Sequence, residues 1–313
     1  MKSERDFIKY LTTMTFNQKN VIKGIGDDCS ILKFKNDKKY VLTTDTSLLG
    51  PHFTKDYTPE EIGYKTLASN ISDIASMGCK PMYAMYAITL PKISSRWIKE
   101  FFKGTNKLLK KHDISIIGGD TTKGPLSITI QLIGIEVNKI ICRSGAKCKD
   151  DIYVTGSIGG ARAALISNKN SLAYKYFEKD LKRPQPRVQI GIDLSKYINS
   201  CIDISDGIVK DLRCIADDSS KGFIVDVDSI PVKPKFHNYV PRDKIEECLL
   251  GGGEDYELCF TAPASCNKNI YNISKKHNTK ITKIGVITPK KHIYVSNDVQ
   301  IKLSSKGYDH FTH

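Results

Sequence analysis

The chain is 313 residues long, 40% hydrophobic and 26% charged, an ordinary globular composition with length enough for a large core. Lys and Arg total 48 against 34 Asp and Glu, a formal charge of +14. No run of five or six basic residues occurs and no basic stripe carries interleaved aromatics. The excess therefore reads as Lys spread over a solvated surface, and a nucleic-acid-binding protein is not the first expectation.

The 9 Cys are scattered, without a CxxC pair or a Cys/His metal spacing. They read as buried or half-buried free thiols of a reducing compartment. The charged start, Met1 to Asp6, leads into a short amphipathic stretch (Phe7, Ile8, Leu11, Met14) without the apolar core of a signal peptide. No apolar run approaches the ~20 residues that cross a bilayer. A cytoplasmic protein with no membrane association is expected.

In chain order, Tyr40 to Thr44 reads as a strand ending at Asp45. Thr58-Pro59-Glu60-Glu61 is a capping box with proline at the first helical position. The helix it opens carries Ile62, Leu67, Ile71 and Ile74 and stops near Gly78. Met82 to Leu90 is a strand, Ser94 to His112 an amphipathic helix, and Ile114 to Ile117 a short strand entering Gly118-Gly119-Asp120. Leu126 to Val137 is a longer strand. A boundary follows near 138–150, dividing an N-terminal domain (1–140) from a C-terminal one (141–313). Asp151 to Thr155 is a strand entering Gly156-Ser157-Ile158-Gly159-Gly160 and a helix. Beyond the stiff Arg183-Pro184-Gln185-Pro186 linker come a helix around Val188 to Tyr197 and a strand Ile202 to Ile204. The latter feeds Ser205-Asp206-Gly207 and another helix. Phe223 to Val227 and Tyr256 to Thr261 are strands. This alternation predicts an α/β (α+β) fold.

Six acidic clusters share one pattern, an Asp or Glu beside small residues at an element boundary. They are Gly26-Asp27-Asp28, Thr43-Thr44-Asp45, Ser72-Asp73, Gly119-Asp120-Thr121, Asp203-Ile204-Ser205-Asp206-Gly207 and Gly251-Gly252-Gly253-Glu254-Asp255. Singly, each reads as a cap or a turn. Together they suit a hard cation such as magnesium, shared between carboxylates and substrate phosphates. The strand period puts Thr43 and Asp45 on one face, and Asp203 and Ser205 on another. Asp73 falls in the last turn of its helix, where the dipole disfavours an anion, and Asn70 one turn earlier can face the same site. Arg143-Ser144-Gly145-Ala146-Lys147 offers a guanidinium fork for phosphate, or a plain surface turn. Gly156 to Gly160 reads as an anion-binding turn or as close packing, and it lacks the ending of a P-loop. No nucleophile signature occurs, and His52 stands alone after the Asp45 loop.

Read together, these segments resemble the thiamine-monophosphate kinase family, in the superfamily of aminoimidazole ribonucleotide synthetase and selenophosphate synthetase. The resemblance runs from Gly24-Ile25-Gly26-Asp27-Asp28-Cys29 to Gly307-Tyr308-Asp309-His310-Phe311. It passes through Asn70-Ile71-Ser72-Asp73-Ile74-Ala75-Ser76-Met77-Gly78, Gly118-Gly119-Asp120-Thr121-Thr122 and Gly253-Glu254-Asp255-Tyr256-Glu257-Leu258. It implies a two-domain fold whose N-terminal mixed sheet forms a homodimer. It also implies phosphorylation of thiamine monophosphate by ATP, with several magnesium ions. By the same resemblance the magnesium ligands are Asp28, Thr43, Thr44, Asp45, Asp73, Asp120, Asp203 and Asp206. Gly119, Asp120, Arg143 and Ser205 lie at ATP, and His52, Glu254 and Tyr308 at the thiamine substrate, while Asp27 stays open. Ser76, where the family often has alanine, and Ile204, in place of leucine, are the departures, and neither is expected to touch a proposed ligand. The alternatives are another ATP-dependent synthetase of the superfamily and a basic protein that binds nucleic acid.

Overall fold

The computed structural model describes residues 20–24, 26–34, 38–303 and 307–308. The amphipathic stretch from Phe7 to Met14 lies outside the described residues, as do Ile25 and Asp309-His310-Phe311. Two mixed sheets carry the fold. The first has the order β1-β2-β3-β6-β4-β5, from β1 (Val21–Lys23), β2 (Ser30–Lys33), β3 (Lys39–Leu48), β4 (Cys79–Leu90), β5 (Ser115–Lys123) and β6 (Ser127–Glu136). Its neighbours are antiparallel except β4 and β5. Helices α1 (Pro59–Ser76) and α2 (Ser95–His112) make the crossovers from β3 to β4 and from β4 to β5.

The start of α1 follows from its sequence. Thr58 accepts from the Glu61 amide while Glu61 accepts from the Thr58 amide, with Pro59 inside the first turn. The chain leaves the helix through Met77 and then Gly78, whose φ of 67° suits glycine. Two strands outrun their expected ends. β3 continues to Leu48 because its β-branched residues keep pairing with β6. β5 continues through Gly118-Gly119-Asp120 to Lys123, paired with β4 throughout, so Asp120 sits within a strand rather than in a loop at its end.

The second sheet has the order β13-β12-β9-β11-β7-β10-β8. Its members are β7 (Asp151–Thr155), β8 (Ser200–Asp203), β9 (Gly222–Asp226), β10 (Leu258–Ala262), β11 (Ile281–Thr288), β12 (His292–Ser296) and β13 (Val299–Ile301). Only β12 and β9 pair in parallel, so the fold lies on the α+β side of the expectation. Helices α3 (Gly160–Ile166), α4 (Leu172–Lys182), α5 (Val188–Leu194) and α6 (Ile208–Asp218) surround it.

One face of the first sheet is packed and the other open. Val41, Ala84, Tyr86, Ile128 and Ile130 are buried, while Thr44, Thr46, Tyr83, Met85 and Gln131 on the alternate positions are exposed. Helix α1 is buried nearly all round, which is why its apolar residues form no narrow stripe. Its neighbours approach to backbone distance. A Cβ on Gly63 would collide with the Phe101 carbonyl of α2, one on Gly104 with the Glu60 carbonyl of α1, and one on Gly191 of α5 with the Ala75 carbonyl. On helix propensity alone, Gly104→Ala should stabilise by about 1 kcal/mol. The backbone contact reverses the sign, and the substitution should instead cost about 1–3 kcal/mol. Denaturant melts of the two chains decide between them, and a gain in stability would refute this packing.

Candidate functional site

A cleft of about 820 Å³ opens between the sheets. Its walls are the end of β3, the loop after it, one row of α1, the turn after β8, the glycine run 251–253 and Tyr308. Asp45, Asp73, Asp203 and Asp206 all reach it, from three places in the sequence, with Thr44, Ser205, His52, Glu254 and Tyr308. Thr43 lies just behind, its hydroxyl donating to Asp73 Oδ2 at 2.5 Å. The strand period expected for Thr43, Thr44 and Asp45 is thus realised, with Thr43 buried and Thr44 exposed.

Such acids repel one another and lose solvent. Burial raises the Asp45 carboxyl to about 6, against a hydrogen bond from Ser69 and helped by the charges of Asp28 and Asp206. Burial also raises Asp203 to about 8, with Asp28 the next cause. Asp73 is pushed well above the carboxylate range by burial and then by Asp45, Asp203 and Asp28. Oδ2 of Asp203 is buried and, among the described residues, meets no hydrogen-bond donor. A buried carboxylate oxygen with no donor, among other hard oxygen donors, fits a divalent cation. Among the described residues, no three acidic, imidazole or thiol groups converge to chelate one ion alone. The set suits ions whose coordination is completed by water and phosphate, the usual habit of magnesium.

The turn after β8 is held by a residue that the sequence reading missed. Asp211, in the first turn of α6, accepts from the amides of Ser205 and Asp206, both at 3.0 Å. An Asp at a helix start reads as a cap, so nothing local marks it as the support of the site. Gly253 closes on this turn, and any Cβ there would strike the Ser205 carbonyl. Glu254 follows with a φ of 66°, strained for a residue with a side chain, and its amide donates to Ser205 O at 2.8 Å. Asp206 pairs with Lys210, which also donates to the Tyr308 carbonyl at 2.8 Å.

Other expected members stand apart. Asn70 does not share the cleft face of α1; it is fully buried, its amide donating to Thr66 O, and Ser69 takes its place one helical turn from Asp73. Asp28 is buried beneath the cleft, gripped by the Arg143 guanidinium and by the Ser76 hydroxyl, so Ser76, expected to touch no proposed ligand, donates to one because the last turn of α1 packs over Asp28. Asp27 pairs with Lys23 and accepts from the Arg143 amide, so its contacts here are structural. The turn Gly156 to Gly160 already holds an anion of the protein's own, because Asp255 accepts from the Gly159 amide at 3.0 Å at the start of α3. Gly119 and Asp120 lie on β5, the edge strand. Pairing runs from Asp45 to Ile130, Tyr86 and then Gly119, three strands away, or about 14 Å at the usual strand spacing. They border a second hollow of about 410 Å³ walled by Tyr86, Trp97 and Phe102.

The raised carboxyls fix how stability depends on pH. In the unfolded chain these groups ionise near 3.8, whereas in the folded chain Asp45 waits until about 6 and Asp203 until about 8. Between those limits the folded state binds more protons, so stability falls as pH rises. Urea melts without divalent ions should therefore show a less stable protein at about pH 8.5 than at about pH 5.5, and Asp203→Asn should flatten the difference. An unchanged slope in that variant would refute the assignment.

The sequence matches the AIR synthase related protein, N-terminal domain, over residues 26–135, and the AIR synthase related protein, C-terminal domain, over 150–297. The thiamine-monophosphate kinase of Buchnera aphidicola subsp. Schizaphis graminum is 38% identical over 312 residues, with 97% of each chain covered. Among solved structures, the thiamine-monophosphate kinase of Stenotrophomonas maltophilia K279a is 36% identical and superposes with a TM-score of 0.79 over 94% of this chain and 95% of that one. The structure described as AaThiL complexed with AMPPCP and TMP reaches 0.84 at 26% identity, over 99% and 97%. With both halves matched and the identity sustained along nearly the whole length, the chain belongs to the thiamine-monophosphate kinase family.

Proposed function

We propose that the chain transfers the γ-phosphoryl group of ATP to thiamine monophosphate, forming thiamine diphosphate, with magnesium as the cation. The observation that carries this reading is the gathering of Asp45, Asp73, Asp203 and Asp206 in one cleft with Glu254 and Tyr308. A family structure that holds AMPPCP and TMP together supports it. The metal ligands in this reading are Asp28, Thr43, Thr44, Asp45, Asp73, Asp120, Asp203 and Asp206. Bound magnesium would screen the charge of the reacting phosphates. The acceptor is a phosphate monoester with a second pKa of about 6, already largely ionised at pH 7, so no general base is needed. His52 in the cleft accepts from the Leu48 amide through Nδ1.

The chain's own contribution is placement. Thr43 orients Asp73, and Asp211 fixes the Ser205-Asp206 turn. Glu254, beside His52 and Tyr308, offers a carboxylate to the cationic thiazolium ring. Ser205, Arg143, Gly119 and Asp120 serve the nucleotide, and the aromatic hollow beside Gly119 suits its base. The N-terminal unit spans 1–140 and the C-terminal unit 141–313. The N-terminal units pair in a homodimer, a reading supported by the open sheet face and by the edge position of Gly119 and Asp120. The free thiols support a cytoplasmic setting.

Purified protein with ATP, magnesium and thiamine monophosphate should yield thiamine diphosphate, while labelled ATP alone leaves no label on the protein. Asp45→Ala and Asp73→Ala should each lower kcat by about a hundredfold or more, the scale of losing transition-state charge stabilisation. Near-normal turnover in either variant, or no diphosphate from the unsubstituted chain, contradicts the proposal. Light scattering in solution should give twice the chain mass of 35.0 kDa, and a monomer at working concentration contradicts the dimer.

A further inference from the structure

One face of α1 carries a polar row, Lys65, Ser69 and Asp73, each four residues from the next, and all three line the cleft. Asp73 lies among the acids. Lys65 is eight residues away, about 12 Å along the axis at about 1.5 Å per residue. It is 5% exposed, and an ammonium that deep is unfavourable unless every donor is matched. Its partners all belong to the cleft wall. Nζ donates to the His52 carbonyl at 2.8 Å, pairs with the Glu254 carboxylate, and stands 5.5 Å from the centroid of the Tyr57 ring. Lys182 faces the same ring at 5.2 Å and donates to Glu61, so Lys65 is not what anchors Tyr57 alone.

These contacts join three pieces of chain that no local structure relates: the loop after β3, the middle of α1, and the strained turn at Glu254. We infer that Lys65 is a positioning residue for the acceptor substrate, holding the Glu254 carboxylate and the His52 loop at a set distance from the acids around Asp73. This rests on the kinase reading above. Lys65 does not hold the acceptor itself, because its charge is already matched by Glu254 and would repel a thiazolium. It fixes where the far end of the acceptor docks, while the nucleotide is held from other elements.

The test is a split in Michaelis constants. Lys65→Met should raise KM for thiamine monophosphate about tenfold or more, the scale of a lost charge-assisted contact, and move KM for ATP less than about twofold. Lys65→Arg, which keeps the charge and can reach both oxygen partners, should recover much of that loss. Glu254→Gln combined with Lys65→Met should be little worse than Glu254→Gln alone, because the two act as one unit. Equal rises in both KM values, no rise, or additive losses in the double variant overturn the inference while leaving the activity in place. Absence of thiamine monophosphate turnover in the unsubstituted chain overturns the kinase reading and this inference with it. If Lys65→Met does not fold, Lys65→Arg alone decides. A change of about threefold in the thiamine monophosphate KM with the ATP value fixed supports the role, and parallel changes or none overturn it.

Discussion

Asp45, Asp73 and Asp203 arrive from a strand, a helix and a second strand, and at that meeting point their charges are unfavourable to one another. The surrounding structure is organised to hold them there regardless. Backbone contact at Gly63, Gly104 and Gly191 locks α1 between α2 and α5, so Asp73 cannot drift from its neighbours. The Thr43 hydroxyl on Asp73 and the Asp211 carboxylate beneath the Ser205 turn remove the remaining freedom. The site is therefore a stored electrostatic tension that the proposed cation would relieve, and binding and local rigidity would be two views of one arrangement.

The division of the cleft follows from the same helix. One end of its polar row is acidic and, in the proposed reading, meets phosphates. The other is an ion pair set among tyrosines, which in the same reading offers a charged ring system both a counter-charge and apolar faces. Because α1 is a rigid ruler, the spacing between those ends does not depend on loops, although the residues that meet the ligand largely sit on loops.

Much of this was legible in the sequence, for a physical reason. The capping box at Thr58 and the glycine at 78 act locally, and the structure keeps both. The acids beside small residues pointed to a shared site because caps and turns do not explain so many in that order, and Asp45, Asp73, Asp203 and Asp206 do line one cleft. What stayed hidden depends on distant partners. Nothing near Asp211 marks it as a support, and nothing near Gly156 shows that Asp255 fills the turn. Asn70 and Ser69 sit side by side, and only the rotation of a helix buried on all sides assigns the cleft to Ser69. Lys65 reads as a surface lysine until the chain folds around it. Helix α4 and strands β11 to β13 were not anticipated, and β5 was read as ending before Gly118, since pairing rather than propensity carries a strand through two glycines.

Strand β5 has one more consequence. All nine of its residues are exposed, Ile116 and Ile117 among them, and among the described residues one side of its backbone has no partner strand. A bare edge of that length is a template on which other chains can pair without specificity, and Lys123 at its far end is scant protection. Covering it would thus serve solubility as well as chemistry. On the nucleotide role proposed for Gly119 and Asp120, selection that keeps this edge open also keeps it adhesive, and a chain held apart from the proposed partner copy would be prone to aggregate before it was inactive.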